Sequence, residues 1–119
     1  MSLNENSTNV PYTLGRLFSV YEAVQEWANP GINATIKDKY FNSAAATPAV
    51  IFPILDNLCQ KHLRKLEVGK RIYCERQIGD LKNRLGESNP MRLTLPEQGS
   101  FNLGYYHQKQ LRYTKKEEQ

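Results

Sequence analysis

Cys59 and His62 stand three residues apart, a spacing that puts a thiol and an imidazole on one face of a helix. A thiolate activated by such a base is a covalent nucleophile. Their surroundings argue against that chemistry. Both fall inside an apolar stripe, where cysteine packs as a small hydrophobe and a single histidine satisfies itself within the core. His107 lies among tyrosines with no cysteine or paired carboxylate in sequence reach. Two histidines and two cysteines without H-x-x-x-H or C-x-x-C spacing make no zinc site. Asp38, Asp56 and Asp80 are too scattered to read as two-metal ligands, and Gly15, Gly69, Gly79 and Gly99 are isolated, so no phosphate-cradling loop exists. The residues point to a protein that is not an enzyme and needs no metal or cofactor.

The basic residues carry a stronger signal. The net charge of +4 is unevenly spread: residues 61–84 hold eight bases against three acids, while residues 1–30 are net negative and 31–60 balance. Such a block on an otherwise balanced domain suggests a surface that faces a polyanion, its bland counterpart being a solvated helix face. Lys61, Arg64 and Lys65 share one helical face and form the cleanest patch, with Lys70 and Arg71 extending it past a turn. Lys37 and Lys39 flank Asp38 beside Tyr40 and Phe41. Lysines neutralise phosphates and an exposed aromatic ring offers a stacking platform. Phe41 is expected in the core. Arg16 lies off the apolar stripe of its helix, and Lys109 and Arg112 are the corresponding bases near the C-terminus.

These side chains must be positioned by helices, because no stretch of convincing strand alternation appears. Residues 1–9 lack periodicity and are expected to be a disordered lead. From Pro11 a helix carries Leu14, Leu17, Phe18, Tyr21, Val24 and Ala28 at a 3.6-residue period, with Val20 and Trp27 to one side, and ends at Asn29-Pro30-Gly31. A short helix follows over about Thr35–Ala45. Thr47-Pro48 gives an N-cap and first-turn proline for a long helix to about Glu67, with a kink expected at Pro53. Its broad apolar face joins Ile51, Phe52, Leu55, Leu58, Cys59, His62, Leu63 and Leu66. Gly69 marks the break before a helix burying Cys74, Ile78, Leu81 and Leu85. Thr94-Leu95-Pro96-Glu97 is a capping box with proline inside it, starting a last helix to about Tyr113. Tyr105 and Tyr106 point about 100° apart on that helix, so they cannot both face one core. The fold expected is all-α: a compact bundle of four main helices plus one short helix, with the domain over residues 10–114 and residues 115–119 a frayed tail.

A length of 119 residues fits one domain with a core of its own. Two cysteines make no disulfide framework, no secretory signal is read at the start, and no apolar run approaches the ~18 residues that span a bilayer. A cytoplasmic chain with free thiols is expected.

Four segments in order carry a more specific likeness: Y-T-L-G-R-L-F at Tyr12–Phe18, N-A-T-I-K-D-K-Y-F-N-S-A-A-A-T at Asn33–Thr47, T-P-A-V-I-F-P at Thr47–Pro53 and F-N-L-G-Y-Y-H-Q-K-Q at Phe101–Gln110. Together, from about Tyr12 to Lys116, they resemble the C-terminal domain of the large subunit of type I-C CRISPR surveillance complexes (Cascade), which act in antiviral defence. In that family the same segment is also made alone, from an internal start codon, as the small subunit. A chain beginning with Met and covering only this region looks like that small subunit. The resemblance implies a non-catalytic helical domain beside the backbone and large subunits and further copies of itself. There it would help hold the guide RNA–target DNA duplex and the displaced non-target strand. The alternative is a subunit-packing domain of the large subunit with no direct nucleic-acid contact. The resemblance does not say which bases touch which strand; helical faces alone nominate Arg16, Lys37, Lys39, Lys61, Arg64, Lys65, Lys70, Arg71, Lys109 and Arg112 as nucleic-acid-binding.

Overall fold

Local sequence signals set five helices, α1 (Val10–Ala28), α2 (Ile36–Ala46), α3 (Pro48–Leu63), α4 (Val68–Leu85) and α5 (Leu95–Glu118). The computed structural model describes residues 4 and 6–118, with side chains as far as Leu111, and contains no strand among them. The all-α expectation is met, with α2 as the short helix.

The N-terminus of α1 is closed by the Asn9 side chain, which accepts the Tyr12 N–H at 2.9 Å, with Pro11 in the first turn. The segment before it is partly tied down, since the Asn4 N–H donates to the Tyr12 hydroxyl. α2 starts with a box that adds to the expected helix signals. The Asp38 carboxylate accepts the Thr35 N–H at 2.9 Å, while Thr35 Oγ1 accepts the Lys37 N–H at 3.2 Å. The box at α5 forms as expected, Glu97 accepting the Thr94 N–H at 2.8 Å and Thr94 Oγ1 accepting the Glu97 N–H at 3.3 Å.

α1 is the axis of the molecule. Every residue from Pro11 to Val24 is buried, so the expected single stripe with two contacted flanks is replaced by cover on all sides. α5, α4, α3 and α2 each pack on it, α5 most extensively. Two glycines permit that approach. A Cβ at Gly15 would overlap the Phe101 carbonyl oxygen and stand 2.9 Å from the Tyr105 nitrogen; one at Gly104 would overlap the Tyr12 carbonyl oxygen. Beside this crossing the Phe18 ring meets Phe41, Phe101 and Tyr105 edge-on, the arrangement that aromatic quadrupoles favour.

Three boundaries differ from expectation. Thr47 ends α2 and precedes α3, but its hydroxyl donates back to the Ser43 carbonyl at 3.0 Å and caps nothing in α3. Only one residue separates these two helices, and the preceding helix claims the side chain. α3 stops at Leu63 rather than near Glu67. The turn closes through Lys65 N–H to His62 C=O and Leu66 N–H to Leu63 C=O, and Leu66 tucks into the core. Gly69 therefore lies in the first turn of α4 instead of marking the break. At the far end α5 continues to Glu118, past the expected stop near Tyr113. The expected core of α4, namely Cys74, Ile78, Leu81 and Leu85, is buried as the period required.

Candidate nucleic-acid interface

The early stop of α3 shapes the basic surface. Lys61 lies in the last turn of α3, Arg64 and Lys65 in the turn, and Lys70 and Arg71 in the first turns of α4. The patch thus wraps a corner, and all but the half-buried Arg71 are exposed. It sits at the C-terminal end of α1: Lys65 Nζ reaches the Asn29 side-chain oxygen at 3.4 Å, and Lys70 Nζ stands 4.8 Å above the Trp27 ring. The last turn of α1 holds no base of its own, so its carbonyl end, where the helix dipole is negative, faces these lysines. Arg71 pairs with Glu75 one turn on, at 3.7 Å. Trp27 belongs to this corner although sequence reasoning gives it no role; its place off the apolar stripe of α1 is the available signal.

The remaining nominated bases are placed differently. Lys37 is half-buried among rings, 5.5, 5.2 and 5.0 Å from the centroids of Phe41, Tyr105 and Tyr106, and donates to the Tyr106 hydroxyl at 2.9 Å. Lys39 is exposed above Tyr40. Phe41 packs on the core, and of the adjacent tyrosines Tyr105 is buried while Tyr106 is 51% exposed, as the angle between them demanded. Lys109 turns inward, donating to the Tyr105 hydroxyl at 3.3 Å and approaching Glu22 to 3.8 Å. Arg16 is 6% exposed and donates from Nε to Gln108 at 2.9 Å, away from the basic corner. The Arg112 side chain lies outside the described residues. The nominated bases therefore form one exposed corner, a ring-clamped lysine pair on α2, and two inward-facing groups.

Glu22 is the polar residue whose place sequence reasoning misses. It is 2% exposed on α1, accepts from the Tyr105 hydroxyl, and accepts from Thr35 Oγ1 at 2.7 Å. A buried carboxylate persists only with such donors and a counter-charge, here Lys109. A second tie joins α1, α3 and α4: Asp56 accepts from Tyr21 at 3.1 Å and pairs with Lys82 at 2.7 Å. Burial, reinforced by Asp56, raises the Tyr21 phenol well above its ordinary range.

The two residues of the cysteine–histidine spacing part company: Cys59 is buried in the core as expected, whereas His62, expected there too, is half-buried at the basic corner, because the early end of α3 leaves it beside Asn29. Burial, then the Asp56 charge, pushes the Cys59 thiol up to about 12, and burial pushes Cys74 up to about 11. Both thiols are buried and neither is in a disulfide. Burial and the flanking Lys65 and Lys61 lower the His62 pKa, and its Nδ1 lies 3.2 Å from the Asn29 side-chain amide. Burial outweighs the nearby lysines at both thiols and favours their protonated form, whereas a reactive cysteine has a lowered pKa. Among the described residues no group of three metal-ligating side chains occurs, and no helix is long and apolar enough to cross a membrane.

A family model of CRISPR-associated proteins (Cas_Csd1) matches residues 1–113. The chain belongs to this family, in agreement with the resemblance to a CRISPR surveillance-complex subunit. No curated protein matches the chain.

Proposed function

We propose that this chain is a non-catalytic small subunit of a type I-C CRISPR surveillance complex, helping to hold the guide RNA–target DNA duplex and the displaced strand. The observation that carries this reading is the exposed corner of Lys61, Arg64, Lys65 and Lys70 across the α3–α4 turn. In such complexes base pairing reads the target, and protein supplies a charged groove blind to sequence. Lysine and arginine at a corner between two helices suit that task, because they engage backbone phosphates without reading base edges. Each phosphate contact adds to affinity and to its salt dependence. Neutralising Lys61, Arg64 and Lys65 together is expected to leave folding intact, weaken DNA binding by the assembled complex and flatten its salt slope. Unchanged binding across a salt series would refute the assignment.

A second reading is supported by exposed apolar side chains. Val50 and Ile54 on α3, and Val68 and Ile72 on α4, are 54%, 41%, 61% and 44% exposed. Under that reading the domain packs against neighbouring subunits, its bases meet acidic protein faces, and the same triple change abolishes assembly instead of DNA binding.

A further inference from the structure

The basic corner encloses a neutral group, the side-chain amide of Asn29 at the end of α1. Asn29 Nδ2 donates to the Gln25 carbonyl at 3.0 Å and lies 3.2 Å from His62 Nδ1, while Lys65 Nζ donates to Asn29 Oδ1 at 3.4 Å. Two of these partners fix which way the amide faces. A carbonyl only accepts and an ammonium only donates, so the NH2 group points at Gln25 and the oxygen at Lys65. The second hydrogen of that NH2 group then meets His62 Nδ1, which must accept. Neutral His62 therefore carries its own hydrogen on Nε2.

Protonation of His62 would place an N–H on Nδ1, donor against donor. Relief requires the amide to turn over, which gives up both the Gln25 carbonyl and the Lys65 ammonium. Lys65 and Lys61 also oppose the added charge through their fields, behind the larger effect of the ring's own burial. From the neighbouring elements, α1 faces the ring with uncharged Asn29, its Glu26 one turn earlier, and α4 brings Lys70, whose ammonium stands over Trp27. A backbone phosphate removes two of these obstacles together. Paired with Lys61 and Lys65 it cancels their field at the ring, and by drawing Lys65 off Oδ1 it leaves the amide able to turn and accept from Nδ1–H. We infer that His62 is the proton-uptake residue of the basic corner: a strand whose phosphates engage Lys61 and Lys65 releases the Asn29 amide, and His62 then takes a proton and becomes a further cation facing that strand. The inference rests on the nucleic-acid-binding reading above and adds to it a contact and its regulation, affinity rising as pH falls. Coupling of this kind is reciprocal. A strand that raises the His62 pKa by about one unit binds about tenfold tighter below the free-chain value than above the bound one.

The imidazole nitrogen resonances of the folded chain read both the tautomer and the midpoint. They are followed through a pH titration of the chain alone and with an oligothymidylate of about ten nucleotides, a typical site size for single-strand binding. Between about pH 5 and 8 histidine is the side chain that titrates, and neither thymine nor a phosphodiester does. The free chain should show the Nε2–H tautomer at His62, and the oligonucleotide should raise its midpoint by about one unit. His107, which meets Tyr12 at the opposite end of α1, is the internal control and should move far less. His62→Gln should abolish the pH dependence of affinity. Asn29→Ala removes the opposing donor, so it should raise the His62 midpoint in the free chain and shrink the further rise on binding. An Nδ1–H tautomer in the free chain, or equal movement of His62 and His107, would overturn the inference. Oligonucleotide binding that depends on Lys61, Arg64 and Lys65 but leaves the His62 midpoint in place would overturn this inference alone. Failure of the unaltered chain to bind the oligonucleotide at any pH or salt would overturn it together with the nucleic-acid reading.

Discussion

Replacing Gly104 by alanine tests the helix crossing around which this molecule is built. A Cβ at that position overlaps the Tyr12 carbonyl oxygen and stands 2.8 Å from its carbonyl carbon and 3.1 Å from its Cα. All three are backbone atoms of a helix buried on every side, so nothing can swing aside as a flexible side chain would. α1 and α5 must part, loosening the contacts of Phe18 with Phe101 and Tyr105. Overpacking costs about 1–3 kcal/mol, and rigid neighbours place this case near the upper end. Alanine returns about 1 kcal/mol of helix propensity. The net expectation is a loss of about 2 kcal/mol. Gly79, inside α4, is the control: a Cβ added there would meet nothing within 4 Å, and Gly79→Ala should gain about 0.5–1 kcal/mol. Urea unfolding followed by far-ultraviolet circular dichroism separates the two. With a slope of about 2 kcal/mol per molar, Gly104→Ala lowers the midpoint by roughly 1 M, while Gly79→Ala raises it slightly. Gly104→Ala as stable as Gly79→Ala would refute the close crossing.

Tyr105→Phe removes a donor from buried Glu22 and should destabilise the chain by about 1–3 kcal/mol in the same urea assay. His62 has a lowered pKa when folded, so below about pH 6.5 the unfolded chain binds the proton more readily. Its contribution is complete above that pH and is lost as pH falls through the folded value; His62→Gln should flatten the part of the stability profile that declines below about pH 6.5. Cys59 and Cys74, protonated and buried, should resist alkylation at pH 8 in the folded chain and react quickly in urea; fast labelling of either folded thiol would contradict their placement.

The helical period exposed most of the fold because it depends on local spacing. The buried side of α4 and the cap of α5 follow from residues within a few positions of one another. What stayed hidden depends on distant partners. Nothing near Glu22 in sequence announces Tyr105 and Lys109, and Arg16 reads as a surface base until Gln108 is brought beside it. Gly15 and Gly104 are separated glycines in sequence and become the crossing only when α5 lies along α1. For the candidate interface, the facial separation of Lys61, Arg64 and Lys65 from the apolar stripe was legible. Their wrapping around the end of α1 was not, because the early stop of α3 depends on Leu66 entering the core.

Reconstitution tests the central claim most directly. The tagged chain is expressed with a type I-C complex whose large-subunit gene has its internal start silenced, and guide-directed DNA binding is measured with and without it. The account predicts stoichiometric incorporation and restored DNA binding. A folded helical chain that fails to incorporate, or incorporates without restoring binding, would contradict it.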